Sequence, residues 1–207
     1  MKYKAALFDL DGTLLATEEE YTIFWADQCF KYLGRDDMKQ LIKGSTLKQI
    51  FGRYFPDENI QKQIFADLCK LESSMKYDYI KGALDYVDKL KSNNINCAIV
   101  TSSNIVKMNY VFDAHPEMKT MFNPILMSED FSQSKPNPEC FLIAAQRLGL
   151  QPTECIVFED SHYGLEAGRR AGMKVVGLAT TLPKSEIANE ADIVVSNFTE
   201  LSLSVFE

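Results

Sequence analysis

Residues 5–13 of this 207-residue chain are AALFDLDGT. The first four are apolar, which is typical of a parallel strand that is buried on both faces of a sheet. Asp9 and Asp11 follow at once, and Gly12 allows the chain to turn sharply after them. Two acidic side chains are therefore expected at the carboxyl end of a buried strand, which is where open parallel sheets bind ligands.

The chain after Gly82 alternates between helix-like and strand-like patterns. Helices are expected at residues 83–91, 137–148 and 161–171, and strands at 95–100, 125–127, 155–158, 175–178 and 193–195. This alternation predicts an α/β fold with a doubly wound, mostly parallel sheet that is covered by helices on both faces.

Residues 17–77 have a different pattern, in which aromatic and aliphatic residues recur every three to four positions. No strand-like run interrupts them, so a helical insert is predicted. We therefore expect two domains: a Rossmann-like core of residues 1–15 and 80–207, and a small helical cap of residues 16–79.

The composition excludes several classes of protein. The formal net charge of −7 argues against nucleic-acid or membrane-surface binding, which needs a basic face. No apolar run approaches the ~18–20 residues of a membrane span. The five cysteines lack the spacing of a zinc site and suit a reducing compartment. We expect a cytoplasmic protein, monomeric by default, with no nucleic-acid or membrane partner.

Four polar clusters follow predicted strands and should meet at one edge of the sheet. They are Asp9 with Asp11, Thr101 with Ser102, Lys135, and Glu159 with Asp160. Phosphoryl transfer needs these residue types: a carboxylate nucleophile, oxygen ligands for a divalent cation, a second carboxyl group that moves protons, and donors that hold the phosphoryl oxygens.

Four segments resemble the ordered motifs of the haloacid-dehalogenase-like (HAD) superfamily. They are FDLDGTL, the Thr-Ser pair after the next core strand, SKPNP, and FEDSHYGLEAGRRAGM. Each motif is moderately specific alone, and four in order are strongly specific. The helical insert resembles the C1-type cap of the subgroup that holds beta-phosphoglucomutase and small-metabolite phosphatases.

The resemblance implies a Mg²⁺ cofactor and a role for each acidic residue. Asp9 would be the nucleophile and a metal ligand. Asp11 would be the general acid/base and would offer its backbone carbonyl to the metal. Asp160 would bind the metal directly, and Glu159 would support it through water.

The resemblance also implies how the substrate phosphate is held. Thr101 and the backbone amide of Ser102 would bind a phosphoryl oxygen. Lys135 would neutralise phosphate charge and hold the nucleophile in place.

The implied activity is hydrolysis of a small phosphorylated metabolite through an aspartyl-phosphate. A phosphosugar mutase like beta-phosphoglucomutase is the alternative, and a catalytically weak binding protein of the same fold is a further one. The mutases carry a cap histidine where this chain has Tyr21, and an arginine soon after a Lys-Gly pair. Here Lys43 and Gly44 match, but no arginine follows until Arg53. Hydrolysis is therefore favoured.

Four cap residues are candidates for contact with the substrate: Tyr21, Lys43, Ser45 and Lys48. Tyr21 and Lys48 also fit a second interpretation, in which the tyrosine packs in the cap core and the lysine is a solvated surface charge.

Overall fold

The computed structural model describes residues 1–35 and 42–207. Its strands are β1 (Ala5–Phe8), β2 (Asn96–Val100), β3 (Ile125–Leu126), β4 (Cys155–Glu159), β5 (Lys174–Leu178) and β6 (Ile193–Val195). They pair in parallel in one sheet of order β3-β2-β1-β4-β5-β6. The predicted α/β fold with a parallel, doubly wound sheet is confirmed.

The helices of the described residues are α1 (Glu18–Leu33), α2 (Leu47–Tyr54), α3 (Glu58–Glu72), α4 (Ala83–Ser92), α5 (Ile105–Ala114), α6 (Met118–Met121), α7 (Glu139–Arg147), α8 (His162–Arg170) and α9 (Lys184–Ile187). Short 3₁₀ turns lie at Ser128–Asp130, Pro152–Glu154, Phe198–Glu200 and Leu203–Phe206. Among these helices, none is long and apolar enough to cross a bilayer.

Helices cover both faces of the sheet because successive strand side chains point to opposite faces. Phe8 of β1 packs in one buried cluster with Val87 of α4 and Met108 of α5. Its neighbour Leu7 packs in another buried cluster with Phe141 of α7. All four residues of β1 are fully buried, which is why the sequence of this strand is a continuous apolar run.

Helices α1, α2 and α3 share a separate hydrophobic cluster. Its buried members are Phe24, Trp25, Cys29, Ile42, Ile50, Phe55, Ile64 and Leu68. The two segments that join these helices to the sheet lie side by side, since Ala16 N donates to Asp78 O (2.7 Å) and Ile80 N donates to Leu14 O (2.9 Å). We propose a cap of residues 16–79 on a core of residues 1–15 and 80–207. Residues 36–41 of that cap lie outside the described residues.

The order of the strands determines where the functional residues lie. β1 pairs with β2 on one side and with β4 on the other, with Phe8 opposite Ile99 and Phe158. The residues that follow these strands therefore converge at the carboxyl edge of the sheet, with Asp9 in the middle.

Candidate active site

Lys135 is the centre of a buried ion-pair network. Its Nζ donates to Asp9 Oδ1 (2.6 Å), to Glu159 Oε1 (2.8 Å) and to Val100 O (3.0 Å). The side chain is fully buried. Burial alone would lower the pKa of Lys135, but the carboxylates of Asp9 and Glu159 raise it above its usual range. Lys135 is therefore a fixed positive charge in direct contact with Asp9.

Glu159 connects this network to the start of α8. Its Oε2 accepts hydrogen bonds from the backbone amides of Asp160 (2.8 Å) and Ser161 (2.9 Å) and from the Ser161 hydroxyl (3.0 Å). Ser161 is the N-cap residue of α8, so Glu159 lies at the positive end of this helix, where a carboxylate is stabilised. Glu159 is thus held on one side by a lysine and on the other by a helix end.

Gly164 leaves the space that Glu159 occupies. A Cβ at position 164 would lie 1.7 Å from Glu159 Oε1, which no real contact allows. We expect Gly164→Ala to lower the free energy of unfolding by about 1–3 kcal/mol, because the buried carboxylate must move. Urea denaturation measures the change.

Gly52 is the matched control for this substitution. It lies within α2, and a Cβ there would meet nothing within 4 Å. Gly52→Ala should raise the free energy of unfolding by about 0.5–1 kcal/mol, because alanine loses less backbone entropy in a helix. Equal effects at the two positions would contradict the steric explanation.

Asp9, Glu159 and Asp160 form a buried carboxylate cluster, with one oxygen of each within 4.8 Å of the others. Thr13 donates to Asp160 Oδ1 (2.9 Å). Burial raises the pKa of Asp9 to about 8 although Lys135 opposes the shift, and burial together with Glu159 raises the pKa of Asp160 well above its usual value.

This cluster fits a divalent cation. With all three carboxylates ionised, the one lysine would leave two negative charges in a buried place, and the raised pKa values of Asp9 and Asp160 reflect that cost. Oxygen ligands are those that Mg²⁺ prefers. A divalent ion would neutralise this excess charge.

Asp11 is held by three donors of the core and of the segment before α1. Thr17 Oγ1 donates to its Oδ1 (2.6 Å) and Ser103 Oγ to its Oδ2 (2.9 Å), and Lys107 Nζ forms an ion pair with Oδ1. Burial alone would raise the pKa of Asp11, but Lys107 and these hydrogen bonds outweigh burial and hold the pKa below its usual value.

Thr17, Ser103 and Lys107 are site residues that the sequence analysis missed. Lys107 is in the first turn of α5, which follows the Thr-Ser motif at the end of β2. Since helical side chains lean toward the helix N-terminus, a lysine in this turn is directed back to the sheet edge. That signal could have identified it.

Thr101 and Ser102 lie beside Asp9, as their position after β2 predicts, and both line the cavity. The Thr101 hydroxyl accepts a hydrogen bond from Ser103 N (3.0 Å). Its own proton has no acceptor in the part of the chain that the structure describes. It is therefore available to a ligand oxygen.

The cap contacts the loops that carry these motifs. Among the described residues, hydrogen bonds that join them run from Ser102 Oγ to Gly44 O (3.0 Å), between the hydroxyls of Thr46 and Ser134 (3.2 Å), and from Gln49 Nε2 to Lys135 O (3.3 Å). The cavity is thus enclosed between the cap and the carboxyl edge of the sheet.

Three of the four cap candidates line this cavity, namely Tyr21, Lys43 and Ser45. Lys43 forms an ion pair with Glu18 (3.3 Å), which also lines the cavity. Lys48 is exposed and is not among the described lining residues, which agrees with the interpretation as a surface charge.

Glu72 also lines the cavity and was not predicted. It accepts a hydrogen bond on Oε1 from the Tyr21 hydroxyl (3.0 Å). Burial raises the pKa of Glu72, with Lys107 opposing the shift. An acid in an otherwise amphipathic helix carries no pattern that separates a cavity residue from a surface one.

Residues 6–178 match the family model of the haloacid dehalogenase-like hydrolases. The chain belongs to the haloacid dehalogenase-like hydrolase family. The resemblance inferred from the four motifs is therefore confirmed, and so is the prediction of an enzyme of the phosphatase type found in this family.

Two relatives of this haloacid dehalogenase-like protein are similar over nearly their whole length. Validoxylamine A 7'-phosphate phosphatase of Streptomyces hygroscopicus subsp. limoneus is 30% identical over 212 residues, which cover 96% of each chain. Fructose-1-phosphate phosphatase YqaB of Escherichia coli K12 is 30% identical over 182 residues, which cover 84% of this chain and 96% of the relative.

A longer relative and a solved structure extend the comparison. The chain is 29% identical to the chloroplastic protein SUPPRESSOR OF QUENCHING 1 of Arabidopsis thaliana and spans 18% of its length. The crystal structure of beta-phosphoglucomutase from Clostridium difficile superposes with a TM-score of 0.80 at 25% identity, and the match covers 98% of this chain and 95% of that one.

Proposed function

We propose that this protein is a magnesium-dependent phosphatase that hydrolyses a small phosphorylated metabolite through an aspartyl-phosphate. The observation that carries the proposal is the position of Asp9. Its Oδ1 accepts a hydrogen bond from Lys135 Nζ at 2.6 Å, and Asp9 itself lines the cavity. The family and the phosphatases among its relatives support it.

The proposed reaction has two displacements at phosphorus. A carboxylate oxygen of Asp9 attacks the phosphorus, the bond to the ester oxygen breaks, and Asp11 gives that oxygen a proton. Water then attacks the phosphorus of the acyl phosphate and gives a proton to Asp11, so inorganic phosphate leaves and the Asp9 carboxylate is restored.

Lys107 determines the protonation state of Asp11 before the substrate binds. Its ion pair keeps Asp11 a carboxylate in the ligand-free arrangement, which suits the base of the second step. A phosphate dianion bound nearby opposes the charge of Lys107, so Asp11 takes up a proton from solvent as the ester binds and gives this proton to the leaving oxygen.

The phosphoryl oxygens are proposed to meet the Thr101 hydroxyl and the backbone amide of Ser102. Lys135 is proposed to favour their negative charge from a distance, because its Nζ already donates to Asp9, Glu159 and Val100 O. Mg²⁺, when bound, supplies positive charge that offsets the repulsion between carboxylate and phosphate. Asp9, Asp160 and the backbone carbonyl of Asp11 are its proposed ligands, with Glu159 acting through water. Here Glu159 already has donors on both oxygens, which suits a supporting role.

Tyr21, Lys43 and Ser45 are proposed to face the part of the substrate that leaves with the ester oxygen. Cys69, Cys97, Cys140 and Cys155 form no disulfide bond, which agrees with a reducing compartment, and the cytoplasm is the proposed location.

Release of phosphate from p-nitrophenyl phosphate tests the proposal. Turnover should require Mg²⁺, fall to background in excess EDTA, and return when Mg²⁺ is restored, because Lys135 alone does not balance the charge of three ionised carboxylates. No release at any Mg²⁺ concentration would leave a binding protein as the interpretation.

The similarity to beta-phosphoglucomutase makes a phosphosugar mutase the second candidate. Interconversion of beta-glucose 1-phosphate and glucose 6-phosphate without net phosphate release would establish the mutase and overturn the phosphatase.

A further inference from the structure

The cap wall of the cavity combines an acid with apolar side chains. Glu72 ends α3, is 5% exposed, and accepts the Tyr21 hydroxyl on Oε1. Its Oε2 has no hydrogen-bond donor among the residues that the structure describes, and the side chain lines the cavity. Trp25 and Leu68 line the cavity as well. This wall therefore offers a hydrogen-bond acceptor within an apolar surround.

The lysines of the cavity are already paired. Lys107 forms its ion pair with Asp11, and Lys43 lies 3.3 Å from Glu18. Against these two lysines, the cavity is lined by five acidic residues: Asp9, Asp11, Glu18, Glu72 and Asp160. A divalent cation and one phosphate dianion cancel each other, so they leave no positive charge for a second acidic group on the substrate.

A positively charged substrate end fits this wall less well than a hydroxyl group. The Nζ of Lys107 lies 4.5 Å from the centre of the Tyr21 ring, so a cation at Glu72 would lie near a fixed positive charge. A hydroxyl group donates without carrying charge, and it meets two acceptors here: the second oxygen of Glu72 and the phenol oxygen of Tyr21, whose own proton goes to Glu72. Apolar side chains pack against its carbon skeleton.

We propose that Glu72, positioned by Tyr21, selects phosphate monoesters whose other end is uncharged and rich in hydroxyl groups, such as polyol or sugar monophosphates. The same residue disfavours substrates with a second phosphate or a carboxylate, because that anion would be buried beside an acid while the nearby lysines, Lys107 and Lys43, are already paired with Asp11 and Glu18. The inference rests on the proposed phosphatase activity and specifies its substrate class.

Sorbitol 6-phosphate and 6-phosphogluconate test this selection, since they differ only in a hydroxymethyl group against a carboxylate. The wild-type protein should show a kcat/KM at least about tenfold higher for sorbitol 6-phosphate. Glu72→Gln keeps the shape and removes the charge. It should reduce that preference about tenfold, mainly through a lower KM for 6-phosphogluconate.

Two further variants test whether the effect of Glu72→Gln comes from the lost charge of Glu72 or from a change in folding. Glu58→Gln alters an exposed acid on the same helix and should leave the preference unchanged. Tyr21→Phe removes the hydrogen bond that positions Glu72 but keeps the acid, so the preference against 6-phosphogluconate should fall less than it does in Glu72→Gln. Thermal denaturation checks that each variant is folded.

Failure of the proposed phosphatase activity and failure of the proposed selection by Glu72 give different results. If the wild-type protein does not hydrolyse p-nitrophenyl phosphate, the proposed function falls. If it does, but shows no preference for sorbitol 6-phosphate, or if Glu72→Gln lowers kcat/KM equally for both esters, the selection by Glu72 is wrong and its role is structural.

Discussion

Asp9→Asn should lower the kcat for Mg²⁺-dependent hydrolysis of p-nitrophenyl phosphate by about 10³-fold or more, because an amide is a poor nucleophile and cannot form the acyl phosphate. The substitution is nearly isosteric. Lys135 keeps Glu159 (2.8 Å) and Val100 O (3.0 Å) as partners, so the fold should persist. Initial rates at saturating substrate measure the loss.

The covalent intermediate gives a second measurement for the same variant. Wild-type protein quenched in acid during turnover should carry one phosphoryl group by mass spectrometry, and Asp9→Asn should carry none. Asp113→Asn, at an exposed position of α5, is the control and should behave as wild type. Undiminished hydrolysis in Asp9→Asn would refute the nucleophile assignment.

Lys135→Met should lower the free energy of unfolding by about 3–5 kcal/mol, because it removes the lysine at the centre of a buried network and leaves its acids unpaired. Both ion pairs are short, at 2.6 and 2.8 Å, and the lysine is fully buried. Urea denaturation in EDTA measures the change without help from a divalent cation. Phosphatase activity should be lost as well.

The pH dependence of the free energy of unfolding shows whether unpaired acids cause the loss of stability in Lys135→Met. The pKa of Asp9 is raised to about 8 even with Lys135 present. A raised acid pKa favours the folded state at low pH, and this contribution is lost as pH rises through the folded-state pKa. Without the lysine, the pKa of Asp9 should rise further, so the loss of stability should be larger at pH 9 than at pH 6.

Two comparisons complete this test. Lys89→Met, at an exposed position of α4, should change stability by less than about 0.5 kcal/mol. Adding Glu159→Gln to Lys135→Met should recover part of the loss because it removes one unpaired acid. A Lys135→Met variant as stable as wild type at every pH would show that the ion pairs contribute little.

Much of the fold was predictable because its signals are local. The apolar run of β1 lies at residues 5–8 in both the prediction and the structure, and β6 lies at 193–195 in both. The alternation of strands and helices after Gly82 predicts the parallel sheet. The order of the strands is not encoded in this way, since it depends on which buried faces pack together.

Part of the candidate site was likewise predictable from the sequence, and part was not. Asp9, Asp11, Thr101, Ser102 and Asp160 follow strands, so the rule for parallel sheets predicts from the sequence that they lie together. The partners of Asp11 at Thr17 and Lys107, and the acid at Glu72, were missed because their roles depend on how helices α1, α3 and α5 pack around the cavity.

The amino-acid sequence alone predicted which residues are candidates for chemistry and at which strand ends they stand, because apolar runs, turns and motifs are encoded over a few neighbouring positions. Only the tertiary structure decided their partners. The bond from Lys135 to Asp9 spans 126 residues and that from Ser103 to Asp11 spans 92. Such contacts exist only once β1 lies between β2 and β4, because that order alone brings these side chains to one buried point.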